Sequence, residues 1–447
     1  MRAVISALDE RLHEPTAKGL ARALSHAVRD GVLAPGDRLP PIRELAKELV
    51  LSPTTVSAAW QLLSRAGAIH CAGRRGTTVI DLTRRRYARA LRHESGVSLD
   101  LSTGVPDGNL LPDLGSALQG LTAAAPSSYL DDPVLDELRT VLLTDWPYQP
   151  QDLLIVDGAM DALDLIVRTL LQPGDVVLVE DPAFPPLLDL LETRGVVVTG
   201  IPLDDLGLDL DAVSVALERR PAALFIQPRG HNPTGISMSS NRARQLVAAL
   251  TGSDVLVVED DSGAHIATSL PLSLGQWIPD QIIHIRSFSK SHGPDLRLAA
   301  MSGPSTRLAA IRHTRALGQG WSSRLLQRVL TTLLTDPQAC RQVEQARGEY
   351  ALRRERMTRR LHERGIDVPG TDGLNIWVPV RDEAAALLRL ATAGIAVTPG
   401  GPFAVGDRPG PGGHIRVTCG LIRTDHEHIA DLIADAATAG TWTAQHR

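Results

Sequence analysis

The stretch Ser287-Phe-Ser-Lys-Ser-His-Gly-Pro-Asp-Leu-Arg297 contains Lys290, the last of only three lysines in the 447-residue chain. The other two are Lys18 and Lys47, and the chain has 46 Lys and Arg residues in all, so arginine fills nearly every other cationic position. A lysine amine can lose its proton and condense with a carbonyl group, whereas an arginine cannot. Residues 281–286 alternate in polarity like a strand that leads into a small polar turn. The sequence therefore predicts a chemically active amine at Lys290, and the alternative is a surface lysine in a loop.

Length and composition limit the class of protein. A chain of 447 residues predicts two or three domains, and 43% hydrophobic with 22% charged residues is typical of a soluble globular protein. No apolar run is long enough to cross a bilayer, and the early acidic residues argue against a secretory signal. Cys71, Cys340 and Cys419 are too scattered for a disulfide framework or a metal site, which favours a cytoplasmic protein.

The charge is unevenly distributed along the chain. Residues 1–98 hold 16 Lys and Arg against 9 Asp and Glu, a net charge of +7. The remainder holds 30 against 42, a net charge of −12. A basic first quarter joined to an acidic body predicts a polyanionic partner for the first quarter alone.

A helix-turn-helix pattern occupies the first quarter. Apolar residues four apart between residues 16 and 31 indicate an amphipathic helix, and residues 42–49 indicate a shorter one. Ser52-Pro53 then begins a further helix, which stops at Gly67, because serine is favoured at the N-cap and proline at the first helical position. The hydroxyl residues at the start of such a helix can reach base edges in the major groove of DNA.

Two short strands are predicted after these helices, over residues 68–71 and 77–80. The hairpin tip between them, Gly73-Arg-Arg-Gly76, would bring two arginines to the phosphate backbone. The pattern predicts a winged helix-turn-helix domain over residues 1–80. The alternative is a three-helix packing unit that has no role in DNA binding.

Residues 1–80 resemble the DNA-binding domain of the GntR regulators. The matching segments are Gly36-Asp-Arg-Leu-Pro40, Arg43-Glu-Leu-Ala46, Ser52-Pro-Thr-Thr-Val56 and the glycine-bounded hairpin that ends in Gly73-Arg-Arg-Gly-Thr77. The resemblance implies that the DNA contacts are made by Arg43, Thr54, Thr55, Ser57, Arg74 and Arg75. The usual Leu-Pro-Ser-x-Arg stretch reads Leu-Pro-Pro-Ile-Arg here, so one hydroxyl that could bind phosphate is missing.

Strands and helices alternate after a polar, basic linker that is predicted over residues 81–99. The predicted strands are continuous apolar runs, which indicates burial on both faces and hence a mostly parallel sheet covered by helices. The runs are 153–156, 176–179, 196–198, 223–226 and 255–258. Ligands bind at the carboxyl ends of strands in such sheets. The polar residues that follow these strands are therefore candidate ligand contacts.

Three of these strand ends carry neutral candidates. Gly158, Ala159 and Met160 lie where a strand ends and a helix begins, and free N–H groups there favour a phosphate, although a plain structural turn is also common. Phe184 follows the next strand and could stack on a planar ring or fill the core. Asn232, held by the proline after it, could donate to a phenolate oxygen or belong to a bare turn.

Charged candidates stand at two further positions. Glu259-Asp260-Asp261 ends a buried strand, which is costly unless one carboxylate meets a cation. A protonated pyridine nitrogen or a metal would serve, but no His/Cys set at ligand spacing supports a metal, so no metal is predicted. Arg416 lies inside a strand near the C-terminus and needs a carboxylate, either from a ligand or from a structural salt bridge.

Together these parts describe the chemistry of pyridoxal 5'-phosphate. That cofactor needs an amine, an acid beside its ring nitrogen, a donor to its ring oxygen and donors to its phosphate. Residues 100–447 resemble the fold-type I aminotransferases, with matching positions in the order Gly158, Phe184, Asn232, Asp260, Lys290, Arg297 and Arg416. The implied fold class is α/β, with a large domain built on a mostly parallel sheet and a smaller C-terminal α+β domain from about residue 335 to 447.

The resemblance also implies a role for each site residue. Lys290 would bind the cofactor covalently, and Asp260 would keep the ring nitrogen protonated, so these two are the predicted catalytic residues. Asn232 would contact the ring oxygen, Phe184 would stack on the ring and Arg416 would take the α-carboxylate of the substrate. The residues implied for the phosphate are Gly158, Ala159, Met160, Ser287, Ser289 and Arg297.

Tyr129 matches a tyrosine that reaches the cofactor of the partner subunit in dimeric members, and two other positions depart from the aminotransferase pattern. Ser262 stands where a tyrosine normally donates to the ring oxygen, and Val134 stands where a flexible glycine is expected. The first departure is expected to change the proton affinity of the lysine–cofactor linkage and to slow turnover. Neither departure removes the cofactor site.

A GntR-like winged helix ahead of an aminotransferase-like body resembles the layout of the MocR subfamily, whose members usually form head-to-tail dimers. The resemblance implies a cytoplasmic, homodimeric transcription regulator that binds double-stranded DNA and senses the cofactor or an amino compound. A working pyridoxal phosphate-dependent aminotransferase that retains the N-terminal domain is the alternative, because all the groups for transamination are present. A third hypothesis is an aminotransferase relic that binds no cofactor.

Overall fold

A computed structural model describes residues 2–29, 32–33, 37–65, 69–71, 76–79, 98–119, 121, 128, 131–406 and 413–439. The predicted contacts Arg74, Arg75 and Tyr129, and most of the predicted linker, lie outside the described residues. The chain divides into two compact units. The first takes Met1–Ala90, Leu171–Val176 and Pro185–Val198, and the second takes Leu91–Leu170, Val177–Phe184 and Thr199–Arg447.

The N-terminal part of the first unit combines short helices with a small antiparallel sheet. Its helices are α1 (Arg2–Asp9), α2 (Ala17–Arg29), α3 (Ile42–Glu48) and α4 (Pro53–Arg65). Its strands are β1 (Arg38–Leu39), β2 (Ile69–Cys71) and β3 (Thr77–Val79), in the order β1-β3-β2. Leu8, Leu24, Leu45 and Trp60, one from each helix, are buried in a shared core. The predicted helix-turn-helix and the two predicted strands are present.

Ser52 begins α4 as the sequence predicted. Its Oγ accepts a hydrogen bond from the backbone N–H of Thr55 at 3.0 Å, which satisfies one of the free amides of the first turn. Pro53 occupies the first helical position, where the missing N–H costs nothing. Two elements of this unit were not predicted, namely α1 and the two-residue strand β1.

An eight-stranded mixed sheet follows, and nearly all of its residues belong to the second unit. Its order is β5-β12-β11-β10-β9-β6-β7-β8. The strands are β5 (Asp152–Val156), β6 (Val176–Asp181), β7 (Val197–Asp204), β8 (Gly207–Leu208), β9 (Ala223–Ile226), β10 (Leu256–Asp261), β11 (Ile282–Ser287) and β12 (Ala299–Gly303). The neighbouring strands β6, β9, β10 and β11 are parallel, whereas β12 runs antiparallel between β11 and β5. The predicted apolar runs fall on β5, β6, β7, β9 and β10 of this sheet, which confirms the α/β class, although β12 was not predicted.

Helices alternate with the strands along the chain, as in aminotransferase-like α/β folds. They are α5 (Gly115–Gln119), α6 (Asp136–Leu143), α7 (Ala159–Leu170), α8 (Pro185–Arg194), α9 (Leu210–Leu217), α10 (Ser240–Leu250), α11 (Ser305–Ala316), α12 (Arg324–Thr335) and α13 (Pro337–Glu363). No described helix is long and apolar enough to cross a membrane.

A smaller layer follows α13. It contains β13 (Ile376–Val380), β15 (Thr398–Pro399) and β16 (Gly413–Val417) in an antiparallel sheet, and β14 (Ile395–Ala396) paired with β4 (Leu99–Asp100). The helices α14 (Glu383–Thr392) and α15 (His426–Ala437) complete it. Its core joins Leu101 to buried residues such as Met357, Ile376 and Ile415. Leu99, at the end of the predicted linker, is therefore part of β4 in this layer.

Candidate cofactor and ligand site

The carboxyl ends of parallel strands β9, β10 and β11 bring three polar segments together. The loop that holds Asn232 follows β9, Asp260 is at the end of β10, and Lys290 follows β11. Asp260 pairs in register with Ile285, and both strands run in the same direction, so these ends meet at one edge of the sheet. The sequence could predict each strand end, but only the strand order makes them neighbours.

Lys290 carries the properties expected of a reactive amine. Burial lowers the pKa of Lys290 below its ordinary value, the carboxylate of Asp260 opposes this shift, and the charge of Arg416 adds to it. A lowered pKa increases the fraction of neutral amine, which is the form that attacks a carbonyl group. Among the described residues, no carboxylate forms an ion pair with Lys290, although Asp260 is close enough to act on its charge.

Asp260 is buried, and neutral donors hold both of its oxygens. Ser262 Oγ donates to Oδ1 at 2.5 Å, and Gln227 Nε2 donates to Oδ2 at 2.8 Å. Burial raises the pKa of Asp260, although these two hydrogen bonds and the charge of Lys290 oppose the shift. Within the described part of the chain, no cation forms an ion pair with Asp260. It is therefore a buried acid that a positively charged ring nitrogen would stabilise.

Ser262 explains part of the departure from the aminotransferase pattern. Its hydroxyl donates to the carboxylate of Asp260, so it supports the acid rather than offering a second donor at the position of a ring oxygen. Val134, the other departure, is buried, with 1% of its surface exposed, and its backbone N–H donates to Asp132. A packed valine there makes the segment part of the core.

Gln227 is a site residue that sequence reasoning missed. Its Nε2 donates to Asp260, and its Oε1 accepts the backbone N–H of Asn232 at 2.8 Å. Gln227 therefore fixes the position of the acid and of the asparagine relative to each other. Its position directly after β9 could have identified it, because the polar residues that follow the other buried strands are the candidate ligand contacts.

Behind Gln227 lies a buried pair of ionisable residues. His231 Nε2 is 3.3 Å from Glu180 Oε2, and Glu180 also accepts the backbone N–H of Gln227 at 2.8 Å. Burial lowers the pKa of His231 to about 3 and raises that of Glu180 well above its usual value. The imidazole of His231 is therefore neutral near pH 7, and Glu180 holds the backbone of Gln227 in place.

Asn232 and Arg416 come from distant parts of the chain and meet in the site. Arg416 Nη1 donates to Asn232 Oδ1 at 3.3 Å, and Asn375 Nδ2 donates to the same oxygen at 3.3 Å. With its carbonyl oxygen occupied, Asn232 keeps its amide N–H groups for a ligand. Asn375 is a second residue that the sequence did not reveal, because it stands just before β13 with no motif around it.

Arg416 is buried with 2% of its surface exposed and has only neutral partners. Its Nη2 donates to the carbonyl oxygen of Ser102 and, at 3.2 Å, to Thr398 Oγ1, while its Nε has no described partner. Desolvation lowers the pKa of Arg416 to about 10. No carboxylate of the described residues pairs with Arg416, so the structural salt bridge that the sequence left open is not formed there.

A glycine leaves room beside that arginine. Gly104 has a φ of +67°, and a Cβ on it would lie 3.4 Å from Arg416 Nη1. Its backbone N–H donates to Thr418 Oγ1 at 2.9 Å. A larger residue would be strained in this conformation and would press on the guanidinium group.

The predicted phosphate contacts come from two places, the turn before α7 and the segment at the end of β11. Arg297 lies over the turn before α7, since its Nη2 donates to the carbonyl oxygen of Asp157 at 2.8 Å and would be 3.1 Å from a Cβ on Gly158. Gly158, Ala159 and Met160 stand at the N-terminus of α7, where backbone N–H groups have no partner within the helix and can bind an anion. Ser287 is buried, and its Oγ accepts the backbone N–H of Ser289 at 3.3 Å.

Phe184 follows β6 and is half-buried. It makes no ring contact with another described aromatic side chain. The core does not fully enclose this ring, and its stacking on a planar ligand stays a prediction.

The residues present fit pyridoxal phosphate. An acid without a cation (Asp260), an arginine without a carboxylate (Arg416) and an amine with a lowered pKa (Lys290) match the ring nitrogen, a substrate carboxylate and the cofactor aldehyde. No cluster of described His, Cys, Asp or Glu residues could hold a metal ion.

The candidate DNA-binding residues lie on α3 and at the start of α4. Arg43 and Thr54 are exposed, and Thr55 and Ser57 are partly exposed. Ser52 Oγ lies 2.7 Å from the hydroxyl oxygens of both Thr54 and Thr55. These mutual hydrogen bonds orient the hydroxyl groups at the N-terminus of the helix, from which base edges or phosphates can be reached.

Comparison with known proteins agrees with this geometry. Residues 97–433 match the family described as "Aminotransferase class I and II", and residues 16–79 match "Bacterial regulatory proteins, gntR family". The chain belongs to the aminotransferase class I and II family and carries a gntR-family domain at its N-terminus, the arrangement of the MocR subfamily that the sequence predicted. The cofactor of this family is pyridoxal phosphate, as predicted.

Individual relatives share the same arrangement. The chain is 34% identical to the vitamin B6 salvage pathway transcriptional repressor PtsJ of Salmonella typhimurium, over 94% of this chain and 97% of that protein. It is 29% identical to the HTH-type transcriptional regulator TauR of Rhodobacter capsulatus, over 86% and 89%. The kynurenine aminotransferase structure from Pyrococcus horikoshii has a TM-score of 0.66 and 23% identity, over 80% of this chain and 97% of that chain, and it shows the fold.

Proposed function

We propose that the protein is a pyridoxal phosphate-dependent transcription regulator. The N-terminal winged helix (residues 1–80) would bind double-stranded DNA, and the domain after the linker (residues 81–99) would sense the cofactor or an amino compound. The observation that carries the ligand part is the presence of two buried, unpaired groups, Asp260 and Arg416, both near enough to Lys290 to shift its pKa. A ligand with a cationic ring nitrogen and a carboxylate would satisfy both groups.

Each residue would then do a specific task at the site. When bound, the cofactor supplies an aldehyde that joins an amine and a ring that withdraws electrons. The Lys290 amine would bind the cofactor and accept or return a proton at its Nζ, while Asp260 would hold the proton on the ring nitrogen. Asn232 would donate to the ring oxygen, and Arg416 would orient the carboxylate of the amino compound.

The remaining contacts would fix the cofactor in place. Phe184 would stack on the ring, which excludes water from one side of it. Backbone amides, hydroxyl groups and one guanidinium would bind the phosphate, from Gly158, Ala159, Met160, Ser287, Ser289 and Arg297. Tyr129 would reach the cofactor of the other subunit in a head-to-tail homodimer.

The DNA part of the proposal assigns two kinds of contact. Thr54, Thr55 and Ser57 would meet base edges or nearby phosphates, whereas Arg43, Arg74 and Arg75 would bind the phosphate backbone. A dimer would present two winged helices to repeated half-sites. PtsJ, by its name, represses a vitamin B6 salvage pathway, which supports the proposal that DNA binding in this cytoplasmic regulator responds to the vitamin B6 cofactor.

Fluorescence anisotropy with DNA from upstream of the gene tests this function. We expect the affinity of the full-length protein to change at least tenfold when pyridoxal phosphate, or the cofactor with an amino acid, is added. Lys290→Ala should keep DNA binding but lose the response, because the amine is the attachment point. A sequence-selective affinity that neither addition changes, in the wild type as in Lys290→Ala, would contradict the sensing role.

A working aminotransferase is the second candidate, and the lowered pKa of Lys290 favours it, because a neutral amine can also move a proton during turnover. Repeated conversion of an amino acid to its 2-oxo acid, with a second oxo acid as acceptor, would establish that activity. A single conversion per site, without further turnover, would favour the regulator.

A further inference from the structure

Asp157 connects the phosphate turn (residues 157–160) to three other parts of the domain. Its carbonyl oxygen accepts a hydrogen bond from Arg297 Nη2 at 2.8 Å, and its backbone N–H donates to Asp161 Oδ2 at 2.9 Å. Its carboxylate accepts from Arg315 Nη2 at 2.9 Å. The backbone and the side chain of one residue therefore fix the turn and place the arginine that is proposed to bind the phosphate.

Arg315 supports Asp157 from the last turn of α11. Only 7% of its surface is exposed, and its Nη2 also donates to Ser322 Oγ at 2.8 Å, while its Nη1 donates to the carbonyl oxygen of Ile155. Ile155 lies on β5, so Arg315 ties the phosphate turn to the strand that precedes it. A buried guanidinium with three fixed partners cannot shift without leaving polar groups unsatisfied, so it holds the Asp157 carboxylate in one place.

The charges around the phosphate turn also depend on Arg315. The carboxylates of Asp157 and Asp161 would repel a phosphate bound at the turn, because all three groups are negative. Arg315 lies 2.9 Å from the first carboxylate and 3.8 Å from the second, so its positive charge offsets part of theirs. Among the described residues, no carboxylate pairs with Arg297, whose Nη2 donates to a carbonyl oxygen, so its charge is available to the ligand.

We propose that Arg315 is a positioning residue for the cofactor phosphate, on which it acts through Asp157 and without direct contact. Held by Arg315, Asp157 sets the position of Arg297 and of the backbone N–H groups of the phosphate turn. The inference rests on the phosphate contacts proposed above. Loss of Arg315 should therefore weaken ligands that carry a phosphate and spare ligands that lack one.

Equilibrium dialysis of the full-length, cofactor-free protein with pyridoxal phosphate and with pyridoxal tests this role. The two ligands share the ring and the aldehyde, and only the first carries a phosphate. Arg315→Gln should weaken the binding of pyridoxal phosphate on the order of tenfold, because the turn loosens and the Asp157 carboxylate loses its counter-charge. The affinity for pyridoxal should stay within about twofold of the wild type. Equal losses for both ligands would show that Arg315 supports the site as a whole and would overturn the proposal.

A second substitution tests whether the effect passes through Asp157. Asp157→Asn, added to Arg315→Gln, removes the carboxylate that lost its counter-charge and should recover about threefold of the lost affinity for pyridoxal phosphate. The double variant leaves neither charge of the pair buried alone, so it is expected to fold even where the single variant does not. It should bind pyridoxal like the wild type and pyridoxal phosphate about threefold more weakly than the wild type. A loss that is equal for the two ligands in the double variant, or no recovery relative to a folded single variant, would overturn the proposal.

Arg312 provides the matched control on the same helix. It pairs with Asp152 at 3.0 Å, at the opposite end of β5 from Asp157. Arg312→Gln should leave both affinities unchanged. A loss of pyridoxal phosphate affinity in Arg312→Gln as large as in Arg315→Gln would overturn the assignment to the contact with Asp157.

Arg297→Gln distinguishes a failure of this inference from a failure of the proposed cofactor site. A loss selective for pyridoxal phosphate in Arg297→Gln, but not in Arg315→Gln, would overturn the role of Arg315 alone. No selective loss in Arg297→Gln would overturn the proposed phosphate contacts, and the role of Arg315 with them.

Discussion

Asp260 and Asp261 are adjacent on β10, but the two faces of the sheet treat their carboxyl groups differently. Asp261 receives two hydrogen bonds from Arg229, at 3.2 Å from Nε and at 2.5 Å from Nη2. Burial raises the pKa of Asp261, but the charges of Arg229 and His284 outweigh it, and the net shift is downward. Asp260 has only neutral donors, and its pKa is raised.

The difference separates a structural carboxylate from one that is available to a ligand. A buried ion pair with complete hydrogen bonding is part of the fold, because removal of one partner leaves the other charge unpaired. A buried acid without a cation gains a partner only when something binds. The two arginines differ in the same way as the two acids. Both are buried, but Arg229 pairs with a carboxylate, whereas the described partners of Arg416 are neutral.

The largest expected effect is on stability, when the paired acid is neutralised. Asp261→Asn should lower the free energy of unfolding of the cofactor-free protein by about 3–5 kcal/mol, because Arg229 would stay buried without its counter-charge. Asp260→Asn, the matched control one residue away, should change it by about 1 kcal/mol or less, because no ion pair is broken. Urea unfolding measures both, and equal losses would remove the distinction between the faces.

The next effect is on ligand affinity. Arg416→Gln should weaken the binding of amino acids, followed through the cofactor absorbance, on the order of 100-fold, about 2.7 kcal/mol, because a charge-assisted pair with the carboxylate is lost. The loss of stability should be about 1–3 kcal/mol, because buried acceptors lose their donor.

An amine without a carboxylate is the matched ligand for that prediction. Its affinity should be unchanged in Arg416→Gln, because the guanidinium has nothing to pair with. If amino acid and amine were weakened equally, Arg416 would support the site as a whole and would not read the carboxylate.

The smallest expected effect is in the pH dependence, and its sign differs between the two acids. The pKa of Asp261 is lowered, so its contribution to stability is full above about pH 4 and is lost as the pH falls through its folded-state pKa. The pKa of Asp260 is raised, so its contribution is full below about pH 4 and is lost as the pH rises through its folded-state pKa.

The difference in unfolding free energy between the wild type and each Asn variant, measured against pH, isolates the contribution of each acid. From about pH 4 upward, the wild type should lose stability relative to Asp260→Asn, by up to about 1.4 kcal/mol per pH unit within the titration window. The difference from Asp261→Asn should stay constant there and shrink only at lower pH. Parallel curves for the two variants would contradict the opposite shifts.

Much of the fold could be predicted from the sequence, because helix starts and apolar strands are marked by residues close together in the chain. Ser52-Pro53 begins α4, and the continuous apolar runs of β9 and β10 form buried parallel strands. The strand β12 escaped prediction because Ala299–Gly303 consists of small residues that give no periodic apolar pattern. The fold and cofactor predictions were confirmed, while the roles of individual site residues stay predictions.

Gln227 and Asn375 mark the limit of sequence reasoning at the site. Neither belongs to a charged or glycine-rich motif, yet Gln227 joins Asp260 to the backbone of Asn232, and Asn375 contacts Asn232 Oδ1. Their importance follows from partners that are between 5 and 143 residues away along the chain.

The amino-acid sequence already showed the groups that can do chemistry: one lysine in a polar turn after a strand, acids at the end of another strand, an arginine within a strand and a basic N-terminal domain. These depend on residue type and on short-range periodicity, which a single chain displays directly. The folded protein was needed to see which of two adjacent acids is paired and whether Arg416 has a carboxylate. Ion pairing depends on distances between residues far apart in the chain, and those distances are fixed by strand order and packing.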